Sequence, residues 1–212
     1  MKFSLHKPTL KLLKDLYGIE LGAAAHNPFG VEAYNVAPAL PTEAAFDEAQ
    51  LKLCGEIAEV DLRGHAADIP VHDDSQDFVL SSHVLEHAPD LLRAFLEMTR
   101  VVRPDGYIVL IFPQPNALPG DTRPNSTRAD LWRAYDEAWT FDTAPEDFAY
   151  GGYDGHYWKM TCNEFMALVD SLRPRNSKRN WPGLKWTLVL KEDPDSKVGN
   201  GFYLAYRNDK RS

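Results

Sequence analysis

Two unbroken apolar runs on either side of a helix-patterned segment constrain this chain more than any other feature. Asp77-Phe78-Val79-Leu80-Ser81-Ser82 is short and apolar with polar ends, the pattern of a strand buried on both faces. Pro89 to Val102 then follows helical rules. Asp90 lies in its first turn, Leu91, Leu92, Phe95, Leu96, Met98 and Val102 form one apolar side, and Arg100 and Arg103 lie near its end. Pro104-Asp105-Gly106 is a turn signal, and Tyr107 to Phe112 is a second continuous apolar strand, stopped by Pro113. A buried strand, a helix and a second buried strand in succession predict an α/β domain with a mostly parallel sheet.

The flanking segments extend the pattern. Thr9 to Leu16 has the spacing of a short amphipathic helix, and Tyr17 to Gly22 reads as a buried strand entering a tight turn. Ala33 to Ala37 and part of Glu56 to Leu62 are strand candidates, Phe46 to Leu53 reads as helix, and Asp61 to Pro70 as loop. Asn163 to Leu172 returns to helical spacing. Trp186–Leu190 and Phe202–Tyr206 are two strands joined by a polar loop, predicted to pair antiparallel. The alternation lapses over residues 114–161. Nine of the 24 aromatic residues fall between Trp132 and Trp158, which suggests a substrate cap inserted into a single domain spanning 1–212.

Composition removes several classes. A chain of 212 residues buries a real core without disulfides or metals. With 44% hydrophobic and 25% charged residues it is not disordered throughout. No apolar run approaches the roughly 18 residues of a membrane span, and the first residues lack the apolar stretch of an export signal, so the expected location is cytoplasmic. A net charge of −8 disfavours nucleic acid as a partner, because phosphate binding needs clustered Lys and Arg. Cys54 and Cys162 lie far apart with no CxxC pair, which excludes a zinc ribbon and predicts packing thiols.

Four segments in order carry a resemblance: Glu20-Leu21-Gly22, Asp68-Ile69-Pro70, Asp77 through His83-Val84-Leu85-Glu86-His87, and Arg103-Pro104-Asp105-Gly106-Tyr107. Together they resemble the class I S-adenosylmethionine-dependent methyltransferases, most closely the small-molecule and glycan branch, over roughly residues 15–113. The resemblance implies a doubly wound, Rossmann-like sheet with an antiparallel C-terminal strand and S-adenosyl-L-methionine as cofactor. It further implies methyl transfer to an O or N nucleophile of a small-molecule or sugar-like acceptor. Glu20 is implied to lie near the methionine amine. Gly22 and Ala23 are implied to form the close-approach turn, with a helix N-terminus beyond it. Asp68 is implied to receive the adenine amino group, with Ala67 and Ile69 flanking the ring. Ser82 and His83 take the strand-end positions that face the sulfonium and the acceptor. The chain departs from the family in its turn, which has one glycine followed by Ala23-Ala24-Ala25. It also lacks the usual acidic residue on the second strand, where Asn35 is the nearest candidate for the ribose hydroxyls.

A hydroxyl acceptor needs a base, and His83 and His156 are the candidates. His156 lies in a glycine- and aromatic-rich segment, Gly151 to Trp158, with the composition of a lid. His83 to His87 also fits the HxxEH pattern of inverted zinc proteases. The strand before it and Pro89 after it favour a strand-to-helix corner with no metal, and a hydrogen-bonded structural role for His87. Arg123, Arg128 and Arg133 read as dispersed surface charge, and so does the acidic set Asp136, Glu137, Asp142, Glu146 and Asp147. Three rival readings stand beside methyl transfer. The first is a catalytically inactive S-adenosylmethionine-binding or regulatory protein. The second is a nicotinamide oxidoreductase, although no GxGxxG follows the first strand. The third is a zinc hydrolase.

Overall fold

A computed structural model describes residues 2–39, 43–150, 155–172 and 184–210. The apolar runs become the middle of one sheet. Strands β1 (Gly18–Leu21), β2 (Ala33–Pro38), β3 (Leu62–Gly64), β4 (Gln76–Ser82) and β5 (Val102–Pro113) are parallel to one another. β6 (Trp186–Glu192) and β7 (Gly201–Asn208) close one edge, with β7 antiparallel to both β5 and β6. The order is β3-β2-β1-β4-β5-β7-β6. Strand order reverses between β1 and β4, and in open α/β sheets a ligand crevice forms beyond the carboxyl ends at such a point. This is the expected doubly wound, mostly parallel architecture.

Each face of the sheet is apolar. Ile19, Val79 and Leu110 point to one side and pack with Phe95 and Met98 of α3 (Leu91–Val101) and Phe165 of α5 (Cys162–Ser171). Phe78, Leu80 and Val109 point to the other, where they cluster with Tyr203 of β7 and with Leu13 and Phe29. The side chain of Asp90 caps α3 by accepting from the Arg93 amide at 2.9 Å. Between β5 and α5 lies α4 (Arg128–Asp136), started by a Thr127–Asp130 capping box. Leu131, Ala134, Trp139, Tyr157 and Trp158 of this segment belong to the same apolar cluster as the sheet. Among the described residues no helix is long and apolar enough to cross a membrane.

Four local expectations differ from the structure. The first helix, α1, is Lys7–Leu12, begun by a proline in its first turn. The strand expected over 56–62 shrinks to β3, which falls inside the expected loop. The Pro104-Asp105-Gly106 signal marks an irregularity within β5 rather than its start. Asp105 takes φ +62°, and the register against β4 shifts between Gln76 and Phe78. A Cβ on Gly106 would meet the Asp77 carbonyl at 2.5 Å, so only glycine passes there. Residues 22–32, between β1 and β2, contain no helix.

Candidate functional site

β1 delivers Glu20 and Gly22 to its carboxyl end. Gly22 has φ +63°, and a Cβ there would meet Val84 Cγ2 at 2.8 Å, so the turn requires glycine both for its backbone and for its space. Its amide continues the ladder to the Val36 carbonyl at 2.9 Å. The chain then stays irregular, because its own side chains take the amides that a helix N-terminus would present to an anion. Asn35 Oδ1 accepts from Ala23 N at 3.1 Å, and Gln50 Oε1 accepts from Ala25 N at 2.9 Å. The expected anion-binding helix end is therefore absent from this loop.

Asn35 lies in the middle of β2, opposite Glu20, and not at the strand's end. Its Nδ2 donates to the carbonyls of Ala23 and Glu59, so its side chain braces the β1 turn. The carboxyl end of β2 is Pro38, whose side chain offers no acceptor for ribose hydroxyls. Asp68 closes a tight turn after β3. Its amide donates to the His65 carbonyl at 2.9 Å, and the His65 amide donates back to the Asp68 carbonyl at 3.3 Å. Ile69 is buried, and its amide donates to Glu97 Oε1 at 2.9 Å, fixing this turn to α3.

Beyond β4 the chain turns a sharp corner. His83 has φ +54° and donates its amide to the Ile111 carbonyl, extending the sheet by one bond. A single 3-10 turn, Leu85–His87, follows before α3. The corner thus forms as expected, and His83 and His87 do not share an α-helical face. Ser82 Oγ accepts from Asn27 Nδ2 at 3.2 Å.

A cavity of about 550 Å³ opens beyond the ends of β1, β2 and β4. Gly22, Ala67, Asp68 and His83 line it; Glu20, Ala23, Asn35, Ile69, Ser82 and His156 do not. Residues that sequence reasoning had not assigned complete the wall. They include Phe46 of α2 (Glu43–Cys54), His87, Arg93, Trp139 and Phe141. Trp139 and Phe141 belong to the aromatic cluster noted in the sequence, which was the one available signal. Phe46 and Arg93 lie in helices whose patterning says nothing of a ligand. The proposed lid is described only in part, since residues 151–154 lie outside the described residues.

The titratable groups fall into two sets. Burial pushes the Glu20 carboxyl up to about 7, partly offset by Lys197. Lys197 is itself held by the carbonyls of Ser4 and Pro28, at 2.7 and 2.9 Å. The second set surrounds Glu86, which is fully buried. Burial opposes its ionisation, but His83, His87 and His156 outweigh that and hold it below the usual range. His83 Nδ1 lies 3.4 Å from Glu86 Oε1. Burial lowers the His83 pKa, the Glu86 carboxylate raises it more, and the net shift is upward. Burial, helped by the neighbouring His87, His83 and Arg123, pushes His156 down to about 4 against the pull of Glu86. His156 is therefore a neutral imidazole at pH 7, weak as a base.

Strand order, an antiparallel seventh strand and a crevice at the β1–β4 reversal define a doubly wound α/β domain with its ligand site at the strand ends. A family model for a methyltransferase domain matches residues 28–110. A demethylmenaquinone methyltransferase of Lysinibacillus sphaericus is 36% identical over 59 residues, 28% of this chain and 25% of that protein. An uncharacterized methyltransferase of Mycobacterium sp. is 31% identical over 122 residues, 54% of this chain and 48% of that protein. The matches thus span half or less of these curated relatives. A solved S-adenosylmethionine-dependent methyltransferase from Methanosarcina mazei superimposes with a TM-score of 0.54 at 14% identity, covering 98% of this chain and 100% of that one. Residues 28–110 thus resemble a methyltransferase domain, the chain shares the fold of a solved S-adenosylmethionine-dependent methyltransferase, and the cofactor this likeness implies is S-adenosyl-L-methionine.

Two features of the site fit that cofactor. Glu20 is a half-buried carboxylate whose ionisation a cationic amine would favour. Gly22, on the cavity wall at the strand end, presents bare backbone with no side chain of its own. The cavity volume is in the range of small-molecule sites, about 300–1,000 Å³.

Proposed function

We propose that this protein transfers the methyl group of S-adenosylmethionine to an O or N nucleophile of a small molecule. The observation that carries this reading is that one cavity brings together Gly22, Asp68, His83 and His87. The bound cofactor supplies an electrophilic methyl carbon on a sulfonium. Glu20 would hold its amine and Asp68 its adenine amino group, and Ala67 and Ile69 would bracket the ring. Ser82 and Ala23 lie at the strand ends beside them, and Asn35 acts on the cofactor only through the turn that it braces.

Displacement at carbon is in-line, so alignment is the protein's main contribution; well-oriented reactants reach effective molarities of about 10⁵–10⁸ M. His83 lines the cavity and is held by Glu86, an arrangement suited to a base for the acceptor proton. Leu21, Val36, Phe46, Val84, Trp139 and Phe141 make most of the wall apolar, which favours an acceptor with an apolar ring over a bare sugar. The demethylmenaquinone methyltransferases among the relatives are named for an acceptor of that kind.

A second reading keeps the fold and drops turnover: an S-adenosylmethionine-binding protein without activity. Its support is the β1–β2 loop, whose Ala23 and Ala25 amides are already bonded to side chains. One experiment tests both. The purified protein is titrated with S-adenosylmethionine, and candidate acceptors are then screened for release of S-adenosylhomocysteine. Binding with release supports methyl transfer, binding without release from any acceptor supports the second reading, and no binding at millimolar cofactor overturns both.

A further inference from the structure

Glu86 is wholly out of solvent, yet neither of its carboxylate oxygens accepts a hydrogen bond. A carboxylate in that state is costly unless positive charge or a cation compensates it. Imidazoles surround it. Oε1 lies 3.4 Å from His83 Nδ1, 3.9 Å from His87 Nε2 and 3.9 Å from His156 Nε2. The His87 and His156 rings meet edge to face, with centroids 4.6 Å apart.

The backbone builds this cluster from two distant segments. The Tyr157 amide donates to the Glu86 carbonyl at 2.8 Å, and a Tyr150–His156 bridge holds the chain on the other side of His156. One ligand atom from each of Glu86, His87 and His156 lies within 4.8 Å of the other two. A tetrahedral ion with bonds of about 2.0–2.1 Å spaces its ligand atoms about 3.4 Å apart, so side-chain movements of about 1 Å close the set.

We infer that Glu86, His87 and His156 bind a divalent transition-metal ion of the zinc type at the wall of the acceptor cavity. Two imidazoles and one carboxylate suit such an ion, and three protein ligands leave a coordination position for a further group. His87 lines the cavity, so the site adjoins the acceptor. Resting on the methyl-transfer reading, the further group is an acceptor hydroxyl. Coordination acidifies it and its proton leaves to solvent. An oxygen lone pair forms the new bond to the methyl carbon, and the carbon–sulfur pair stays on sulfur as the neutral thioether. The metal changes no oxidation state.

The whole chain, stripped with a chelator and free of S-adenosylmethionine, is titrated with Zn²⁺ by calorimetry and with Co²⁺ by visible absorption. The expected result is one equivalent bound at micromolar or tighter Kd, with the strong visible bands of low-coordinate Co²⁺. His156→Ala and Glu86→Gln should each weaken binding by about 100-fold or more, since loss of an outer-shell partner alone costs 10–100-fold. The exposed His72→Ala control should not. Should Glu86→Gln fail to fold by circular dichroism, His156→Ala and His87→Ala decide. No stoichiometric binding up to millimolar Zn²⁺, or binding unchanged in His156→Ala, overturns the site. S-adenosylmethionine affinity measured on the same sample separates the two ideas. Cofactor binding without metal removes the metal site alone, and metal binding without cofactor removes the methyl-transfer reading alone.

Discussion

The Tyr157 amide donates to the Glu86 carbonyl at 2.8 Å, and this bond fastens the aromatic segment after α4 to the corner after β4. Trp158 continues the attachment: its Nε1 donates to the Ala88 carbonyl at 2.6 Å, and its ring stacks on Trp139, which lines the cavity. The wall of the site and the core of the domain are thus one packed unit.

Trp158→Phe keeps an aromatic ring, though a smaller one, and leaves the buried Ala88 carbonyl without its donor. The expected loss is about 1–3 kcal/mol in urea unfolding, and Trp158→Ala should lose about 3–5 kcal/mol. A Trp158→Phe loss under about 0.5 kcal/mol, at unchanged m-value, means that the bond contributes little.

Gly22→Ala meets two obstacles, the φ of +63° and Val84 Cγ2 at 2.8 Å. Positive-φ strain alone costs about 1–3 kcal/mol. Pairing the change with Val84→Ala should recover the steric part only. Full recovery of thermal stability in the double variant shows that the backbone conformation is not the constraint. Cofactor binding, followed by calorimetry, should weaken in both variants.

Asp68→Ala removes a carboxylate from the cavity wall but leaves the two backbone bonds that form its turn. S-adenosylmethionine affinity should fall about 10–100-fold, the worth of one hydrogen bond to a charged group, with the unfolding midpoint of the free protein unchanged. An unaltered Kd removes Asp68 from the adenine contact.

Glu20 sets a pH dependence. Its folded pKa is about 7 against an ordinary 4.5, so in the free protein its contribution to stability is present below about 4.5 and lost as pH rises to about 7. A cofactor amine beside it favours the ionised form, so the complex holds fewer protons than the free protein. The Kd for S-adenosylmethionine should therefore fall as pH rises towards 7 and level off above. Glu20→Gln should flatten the profile and weaken binding at pH 8. A wild-type profile already flat between pH 5 and 8 separates Glu20 from the amine.

The central strands were legible because β1, β4 and β5 are buried on both faces, and burial of that kind writes itself as continuous apolar runs such as Phe78–Leu80 and Ile108–Phe112. β3 was not. Three residues with Leu62 and Gly64 half-buried and Arg63 exposed leave too little pattern to separate from loop. At the site, Gly22 and His83 were legible as strand-end residues, since each follows an apolar run directly. Asn35 was misplaced because a strand's end is set by its partner's register, which puts Asn35 opposite Glu20. The anion-binding helix end was expected from the turn alone. Gln50, far along the chain, supplies the acceptor that Ala25 uses instead.

By itself the sequence determined the parallel sheet, the antiparallel last pair and the corner at His83–His87. These follow from local periodicity and from glycine or proline at positions where other residues do not fit. Only the tertiary structure decided that His156 would meet Glu86 and His87, and that Phe46 and Trp139 would share one cavity with Asp68. Those meetings depend on how helices and loops pack against a common sheet, and contacts between distant segments leave no periodic trace in the chain.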